Sequence, residues 1–433
     1  MPTRSPVPSP APIRPGRLFS LAAYTATAIS GLACIAVFLE GLKRLRHPLA
    51  GDFGVFYAAG KLAGQGHPLS VYTTARLERL EAALNGGHAL HLFFPYPPYV
   101  TLALEPLARL PVTAAFAVWT AINVAAFALA GVVAIRRIDA GRRLLGICIL
   151  VFCLPLVVST AQGENAGLVA LGFTLALIGL YPTRSDANSR SSANLPILAI
   201  GVALLLLKPQ FLVVPMLLVV ARHRPREIAA AATTVAVSLL AGLLTGGMAG
   251  YARFFNLIEA GLKAGTKYHW GPTFNYTFQA QVQAILGRTT ASTVCWLAMS
   301  LGLLLWLVVR TAAWNDPSWL LLGAAAILAT THAMFHDLVI LFPLLVFSLS
   351  IDRVRWAAVL CLPAILLDPM VYPATHVHLV VLGLACAVVV ADWEQLRASV
   401  RTMKRYLTGV TSTALWKSFA PPRWDSASGS ETR

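Results

Sequence analysis

The sequence predicts an all-α, polytopic membrane protein, and three observations predict it. Hydrophobic residues make up 57% of the 433 and charged residues only 12%, against about 25% charged in an ordinary soluble domain. Such a chain cannot cover its surface with charge, so lipid must be its main solvent. The apolar residues fall in runs of about 15 to 22, the length of a membrane helix and not of the ~10-residue alternating strands of an outer-membrane barrel. Charged or Pro/Gly-rich punctuation separates the runs. The six cysteines (Cys34, Cys148, Cys153, Cys295, Cys361, Cys386) all lie inside apolar runs without a CxxC pair, the pattern of reduced packing residues.

Taken in order, residues 1–17 are rich in Pro, Ser and Arg and read as a disordered cytoplasmic tail. Leu18 to Leu39 is too long for a signal-peptide core and lacks a cleavage site, so it reads as a retained first span. Hydropathy then drops across a long outer loop, 40–110. Short helical patterns appear there at Phe53 to Leu62, at Thr74 to Leu84 with Leu77, Leu80 and Leu84 on one face, and at Val100 to Leu110. The prolines of Phe94-Pro95-Tyr96-Pro97-Pro98-Tyr99 donate no backbone hydrogen bond and suit a membrane-edge turn. Further spans are expected at 111–135, 144–160, 165–181, 195–208, 210–221, 228–246, 291–309, 317–335, 338–350, 356–371 and 377–391. With the first, that makes about twelve, which puts both termini on one side. Residues 18–391 then form the membrane domain, with outer loops 40–110 and 247–290, and 392–433 a basic cytoplasmic tail.

Most Lys and Arg outside the spans fall on the face of the two termini, at Arg136-Arg137, Arg142-Arg143, Arg222 to Arg226, Arg353 and Arg355, so that face is cytoplasmic. Lys43-Arg44-Leu45-Arg46 is the discord, on the outer side, where its side chains can reach headgroups or a lipid phosphate. The net charge of +16 comes from short clusters between apolar runs, a pattern for anionic headgroups and not for nucleic acid. The second outer loop, with Tyr251, Phe254, Phe255, Tyr268, His269, Trp270 and Asn275-Tyr276-Thr277, is too aromatic for disorder and is expected to fold near Asp52.

The polar residues gather at outer helix ends. Asp52 opens a helical stretch with Tyr57 and Lys61, and reads either as an N-cap or as a functional carboxylate at the membrane edge. Lys208-Pro209-Gln210 is either a snorkelling lysine or a point charge for a lipid phosphate. Gln162-Gly163-Glu164-Asn165 is a polar cluster or an ordinary hairpin turn. In Thr331 to Asp337, His332, His336 and Asp337 offer a helix cap, a hydrogen-bonding set for a sugar or, less well, metal ligands, since no HExxH pattern is present. Gly54 to Lys61 has the wrong spacing for a phosphate loop, and no nucleotide fingerprint stands elsewhere.

The stretch D-F-x-x-[FY]-Y-x-A that opens Asp52 to Tyr72, then Tyr96-Pro97-Pro98, Leu107 to Pro111, Lys208-Pro209-Gln210 and His336-Asp337-Leu338-Val339, in that order, resembles glycosyltransferase family 87. That family includes polyprenyl-phosphate-mannose-dependent mannosyltransferases of bacterial envelopes and has the GT-C architecture. In the late motif, Thr331-His332 and His336 stand where the family more often has Ser-Pro or Tyr. The resemblance implies an inverting hexosyltransferase of the inner membrane acting on the periplasmic face. Its partners would be a polyprenyl-phosphate sugar donor, a glycolipid or glycan acceptor and membrane lipids. Asp52 would be the general base, and Lys208 with Lys43, Arg44 and Arg46 would hold the donor phosphate. Tyr57, Tyr96, Gln162, Asn165, Gln210, His332, His336 and Asp337 would contact sugar or acceptor. No cofactor and no metal is expected. The rival reading, a lipid or solute transporter or flippase, would spread its polar residues through the middle of several spans.

Overall fold

The computed structural model describes residues 17–44, 49, 51–87, 92–181, 194–222, 224–264, 275–311, 319–350 and 355–389. Of the expected tails, 1–17 and 392–433, all but Arg17 lie outside the described residues, as do Tyr268-His269-Trp270, Arg353 and the side chains of Lys43, Arg44 and Arg46, whereas Arg17 begins the first helix and not a disordered tail. Every regular element described is helical, as the composition predicts. In chain order the α-helices are α1 (Arg17–Arg44), α2 (Asp52–Gly64), α3 (Thr74–Leu84), α4 (Val100–Ala108), α5 (Val112–Arg136), α6 (Arg143–Val151), α7 (Leu154–Gln162), α8 (Ala166–Leu180) and α9 (Asn194–Leu205). They continue with α10 (Val213–Ala221), α11 (Pro225–Ala264), α12 (Phe278–Leu286), α13 (Thr290–Thr311), α14 (Trp319–Ala329), α15 (Leu341–Ser348), α16 (Arg355–Thr375) and α17 (Leu379–Val389). Among the described residues, five helical segments are long and apolar enough to cross a membrane, and six further apolar helices are shorter.

The described residues of the expected outer loop, 40–110, fold as a small helical layer. Its three expected helices are α2, α3 and α4. Phe53, Phe56, Tyr57, Tyr72, Phe94, Tyr96, Leu104, Phe116 and Trp119 share one core, so aromatic packing joins this layer to α5. Phe53 meets Phe116 edge-on at 5.1 Å, and Phe56 meets Tyr96 at 5.0 Å, geometries that add to the burial of the rings.

Three expected spans are reshaped. The run 144–160 is two helices, because Pro155 cannot donate to the previous turn and the chain bends at Phe152 and Cys153. Ser30 of α1 donates to the Phe152 carbonyl at 2.7 Å, which satisfies the acceptor that the break exposes. The run 317–335 ends early, at Ala329. Residues beyond it are held by Asn275, whose amide donates to the Thr331 carbonyl at 3.0 Å and accepts from the Ala333 N–H at 2.9 Å. The run 338–350 begins instead with a 3₁₀ turn, Phe335–Ile340, before α15.

Helix α11 reverses at Gly247, whose φ of 60° only glycine adopts freely. Tyr251 Oη then donates to the Leu239 carbonyl at 3.0 Å, a contact that a straight helix would separate by about 18 Å at 1.5 Å per residue. The expected end of this span near 246 is thus a hairpin. The returning half lies on the layer of α2, α3 and α4, with Phe254 against Tyr72 at 6.2 Å.

The α8–α9 pair has backbones close enough that a Cβ on Gly201 would stand 2.4 Å from the Ala176 nitrogen. Backbone on both sides cannot yield as a side-chain tip would. Gly201→Ala is therefore expected to cost about 1–3 kcal/mol, read as a lower thermal midpoint of the purified protein in detergent; an unchanged midpoint would mean the helices separate freely.

Candidate active site

A cavity of about 540 Å³ opens between the α2–α4 layer, the returning half of α11, the end of α7, the α9–α10 break and the segment after α14. Asp52 comes from the first turn of α2, Tyr96 from the proline-rich turn, and Gln162 and Glu164 from the α7–α8 turn. Lys208 and Gln210 come from the α9–α10 break, and His332 and His336 from the segment after α14. Phe56, Phe93, Phe254, Phe255 and Ile258 form an apolar wall. Phe254, Phe255 and Ile258, from the returning half of α11, thus bring part of the segment 247–290 to the cavity that Asp52 lines, where that segment is expected.

Asp52 is not the N-cap of α2. Gly51 is, and it makes no side-chain cap. A Cβ at Gly51 would stand 2.6 Å from the Gln162 carbonyl oxygen, so the start of α2 presses on the end of α7. That close approach sets Asp52 next to Glu164. Asp337 does cap, accepting the Met334 N–H at 2.8 Å with Oδ2. Its other oxygen, Oδ1, accepts from Lys208 Nζ at 2.8 Å, so one carboxylate both shapes the turn and holds the cation.

Lys208 has two further neighbours, Glu164 Oε2 at 3.1 Å and His336 Nε2 at 3.3 Å. His336 Nδ1 stands 3.2 Å from Gln162 Oε1. Glu164 Oε2 also accepts from the Asn165 N–H at 3.1 Å and from Tyr96 Oη at 3.5 Å. The snorkelling reading of Lys208 therefore fails: its side chain is 8% exposed and turns inward onto two carboxylates.

Burial and the charge of Glu164 together push the Asp52 carboxyl well above the usual carboxylate range. Burial acts the same way on Glu164, but Lys208 and His336 outweigh it and hold that carboxyl below its ordinary value. Two adjacent carboxylates thus differ in proton affinity, the arrangement that separates a base from a structural anion. The Asp52 and Glu164 carboxylates and the His336 imidazole offer atoms within 4.8 Å of one another, a group that could hold a metal ion.

Of the residues expected from sequence, the cavity gathers Asp52, Tyr96, Gln162, Lys208, Gln210, His332 and His336. Asp337 supports Lys208 from behind the wall, 1% exposed. Tyr57 is not brought to the cavity: it is buried in the aromatic core, and its hydroxyl donates to the Leu110 carbonyl at 2.8 Å. Asn165 is buried at the start of α8, reaching Glu164 through its backbone. Glu164 is the residue that sequence reasoning leaves without a role, although the signal that marks Asp52, a carboxylate between apolar runs, marks it too.

A scan against protein-family models matches residues 93–343 to Glycosyltransferase family 87. Searches of curated proteins and of solved structures return no match.

Proposed function

The chain belongs to glycosyltransferase family 87 and is a membrane glycosyltransferase, and from that premise we propose that it transfers mannose or a similar hexose from a polyprenyl phosphate to an envelope glycolipid or glycan. The observation that carries this reading is the cavity itself, with the Asp52 carboxylate and the Lys208 ammonium on one polar wall and a wall of aromatic and aliphatic side chains beside them. A sugar fits the polar wall, and a prenyl chain the apolar one.

In the proposed reaction the acceptor O–H gives its proton to Asp52 as its oxygen attacks the anomeric carbon. The bond from that carbon to the phosphate oxygen breaks, and the bonding pair leaves with polyprenyl phosphate, so the anomeric configuration inverts. One carboxylate suffices, because the phosphate leaving group accepts negative charge without a strong general acid. A carboxyl whose proton affinity is raised by burial and by Glu164 is the stronger base once ionised. Tyr96, Gln162, Gln210, His332 and His336 stand where they can hydrogen-bond sugar or acceptor hydroxyls. Lys208 is the described cation nearest the leaving phosphate, with Lys43, Arg44 and Arg46 proposed alongside it. The distribution of Lys and Arg in the loops supports an inner-membrane protein with both termini cytoplasmic and the site facing the periplasm.

The test is the purified protein in lipid nanodiscs with a panel of polyprenyl-phosphate hexoses and envelope glycolipid acceptors, the product's anomeric configuration read by NMR. Transfer with inversion from at least one lipid-linked donor is expected. Failure of every such donor, together with lipid or solute movement in liposomes, would replace transfer by transport.

A further inference from the structure

Behind the segment that brings His332 and His336 to the cavity lies a second set of buried polar groups, which the reaction above does not use. Asp368 of α16 and His378, just before α17, are 1% and 0% exposed. His378 Nδ1 stands 2.9 Å from Asp368 Oδ2, and the other carboxylate oxygen, Oδ1, accepts the Val380 N–H at 3.1 Å. The Tyr276 hydroxyl also donates to Asp368. The Tyr276 ring meets His378 at 4.7 Å and Phe335, which lines the cavity, at 6.0 Å. A carboxylate out of water must be paired or hydrogen-bonded, and a buried network that meets this need holds its members in one arrangement.

The backbone carries that arrangement to the cavity. Residues 331–334 are not helical, so their peptide groups must find partners elsewhere. Asn275 takes the two that flank His332: its amide donates to the Thr331 carbonyl and accepts the Ala333 N–H. The Ala333 carbonyl in turn accepts the Tyr276 N–H at 2.7 Å. Three successive peptide planes are thereby fixed. With the planes before and after it held, His332 keeps one direction for its side chain, and the 3₁₀ turn bearing His336 starts two residues after Ala333. Gln281 of α12 makes the same kind of bracket on the other side, accepting the His378 N–H at 2.7 Å and donating to the His376 carbonyl at 3.1 Å. His376 has a φ of 55°, a conformation that residues with a Cβ keep where neighbours hold it. The stretch 275–281 thus clips the α16–α17 turn to the segment that bears the two cavity histidines.

We propose that Asn275 and Tyr276 are positioning residues of the active site, anchored by Asp368 and His378, and that they set His332 and His336 toward the bound sugar or acceptor. None of the four lines the cavity, so they act through the segment they hold. Tyr276→Phe is the most selective cut: it keeps the ring and the N–H bond to Ala333, leaves Asp368 with His378 and Val380, and removes the tie between anchor and segment. The effect on rate rests on the transfer reading; the placing of the histidines does not.

The experiment labels the histidine rings of the full-length protein with ¹⁵N, in nanodiscs without donor, and assigns the His332 and His336 signals in the solid-state NMR spectrum by His332→Gln and His336→Gln. Tyr276→Phe and Asn275→Ala are expected to shift or broaden both signals. In the transfer assay kcat should fall about tenfold for Tyr276→Phe and about 10²-fold for Asn275→Ala, the scale of a misplaced group, with donor KM changed by less than about twofold. Gly201→Ala, which loosens the α8–α9 pair instead, is the destabilised control and should leave both signals and kcat unchanged. Histidine signals that match the wild type in both variants, or wild-type kcat in the folded variants, would overturn the proposal and leave the network a scaffold for the α16–α17 turn. If the wild type turns over no donor, the transfer reading fails by itself, and the histidine signals alone decide whether Asn275 and Tyr276 place the two rings.

Discussion

Asp52→Asn is expected to lower the rate of sugar transfer by about 10²–10⁴-fold, the usual contribution of a positioned general base, while the protein folds at least as well as the wild type. The two halves of this expectation come from one geometry. The Asp52 carboxyl sits against Glu164, and burial and that neighbouring charge raise its proton affinity above the unfolded value. A group with a raised folded-state affinity stabilises the fold in its neutral form and opposes it when ionised. Asparagine copies the neutral form, so the thermal midpoint is expected to stay level or rise. Donor KM should change less than kcat, since the lost interaction forms as the acceptor proton leaves. A variant that turns over at the wild-type rate would remove Asp52 from the base role. One that loses activity only because it unfolds would return Asp52 to a structural part.

The sequence was most legible where a local physical rule acts alone. Thr74 to Leu84 shows Leu77, Leu80 and Leu84 on one face, and α3 has those bounds. The spans at 111–135 and 165–181 lie within a residue or two of α5 and α8, because length and apolarity decide them. Where tertiary contacts intervene, hydropathy misleads. The expected span runs on to residue 335, yet the Asn275 side chain takes the backbone groups of Thr331 and Ala333 and turns the chain into the segment that bears His332 and His336. Asp52, Lys208 and His336, each expected at a helix end on one face, line one cavity. Tyr57 and Glu164 show the limit of that reasoning. Tyrosine at a membrane edge is amphipathic, and only the fold reveals that Leu110 takes its hydroxyl. Glu164 carries the same sequence signal as Asp52, a carboxylate between apolar runs, but its place against Asp52 comes from the press of Gly51 on Gln162.

Lys208→Met is expected to give the largest loss of stability of any single substitution in the site, about 3–5 kcal/mol, because it strands two buried carboxylates. Glu164 and Asp337 have side chains 8% and 0% exposed, so water cannot replace the ammonium. The loss belongs to the stranded anions and not to the pair's intrinsic worth, and a further variant separates the two. Adding Glu164→Gln and Asp337→Asn to Lys208→Met removes both charges yet keeps a side-chain oxygen for the Asn165 and Met334 N–H groups. The triple variant should therefore recover most of the thermal midpoint. Transfer should stay abolished, since neither the cation near the leaving phosphate nor the charge beside Asp52 returns. If the triple variant remained as unstable as Lys208→Met, the lysine would act through its aliphatic stem and its packing. If it regained activity along with stability, the charges at 164, 208 and 337 would serve the fold alone, and catalysis would rest on Asp52 and the histidines.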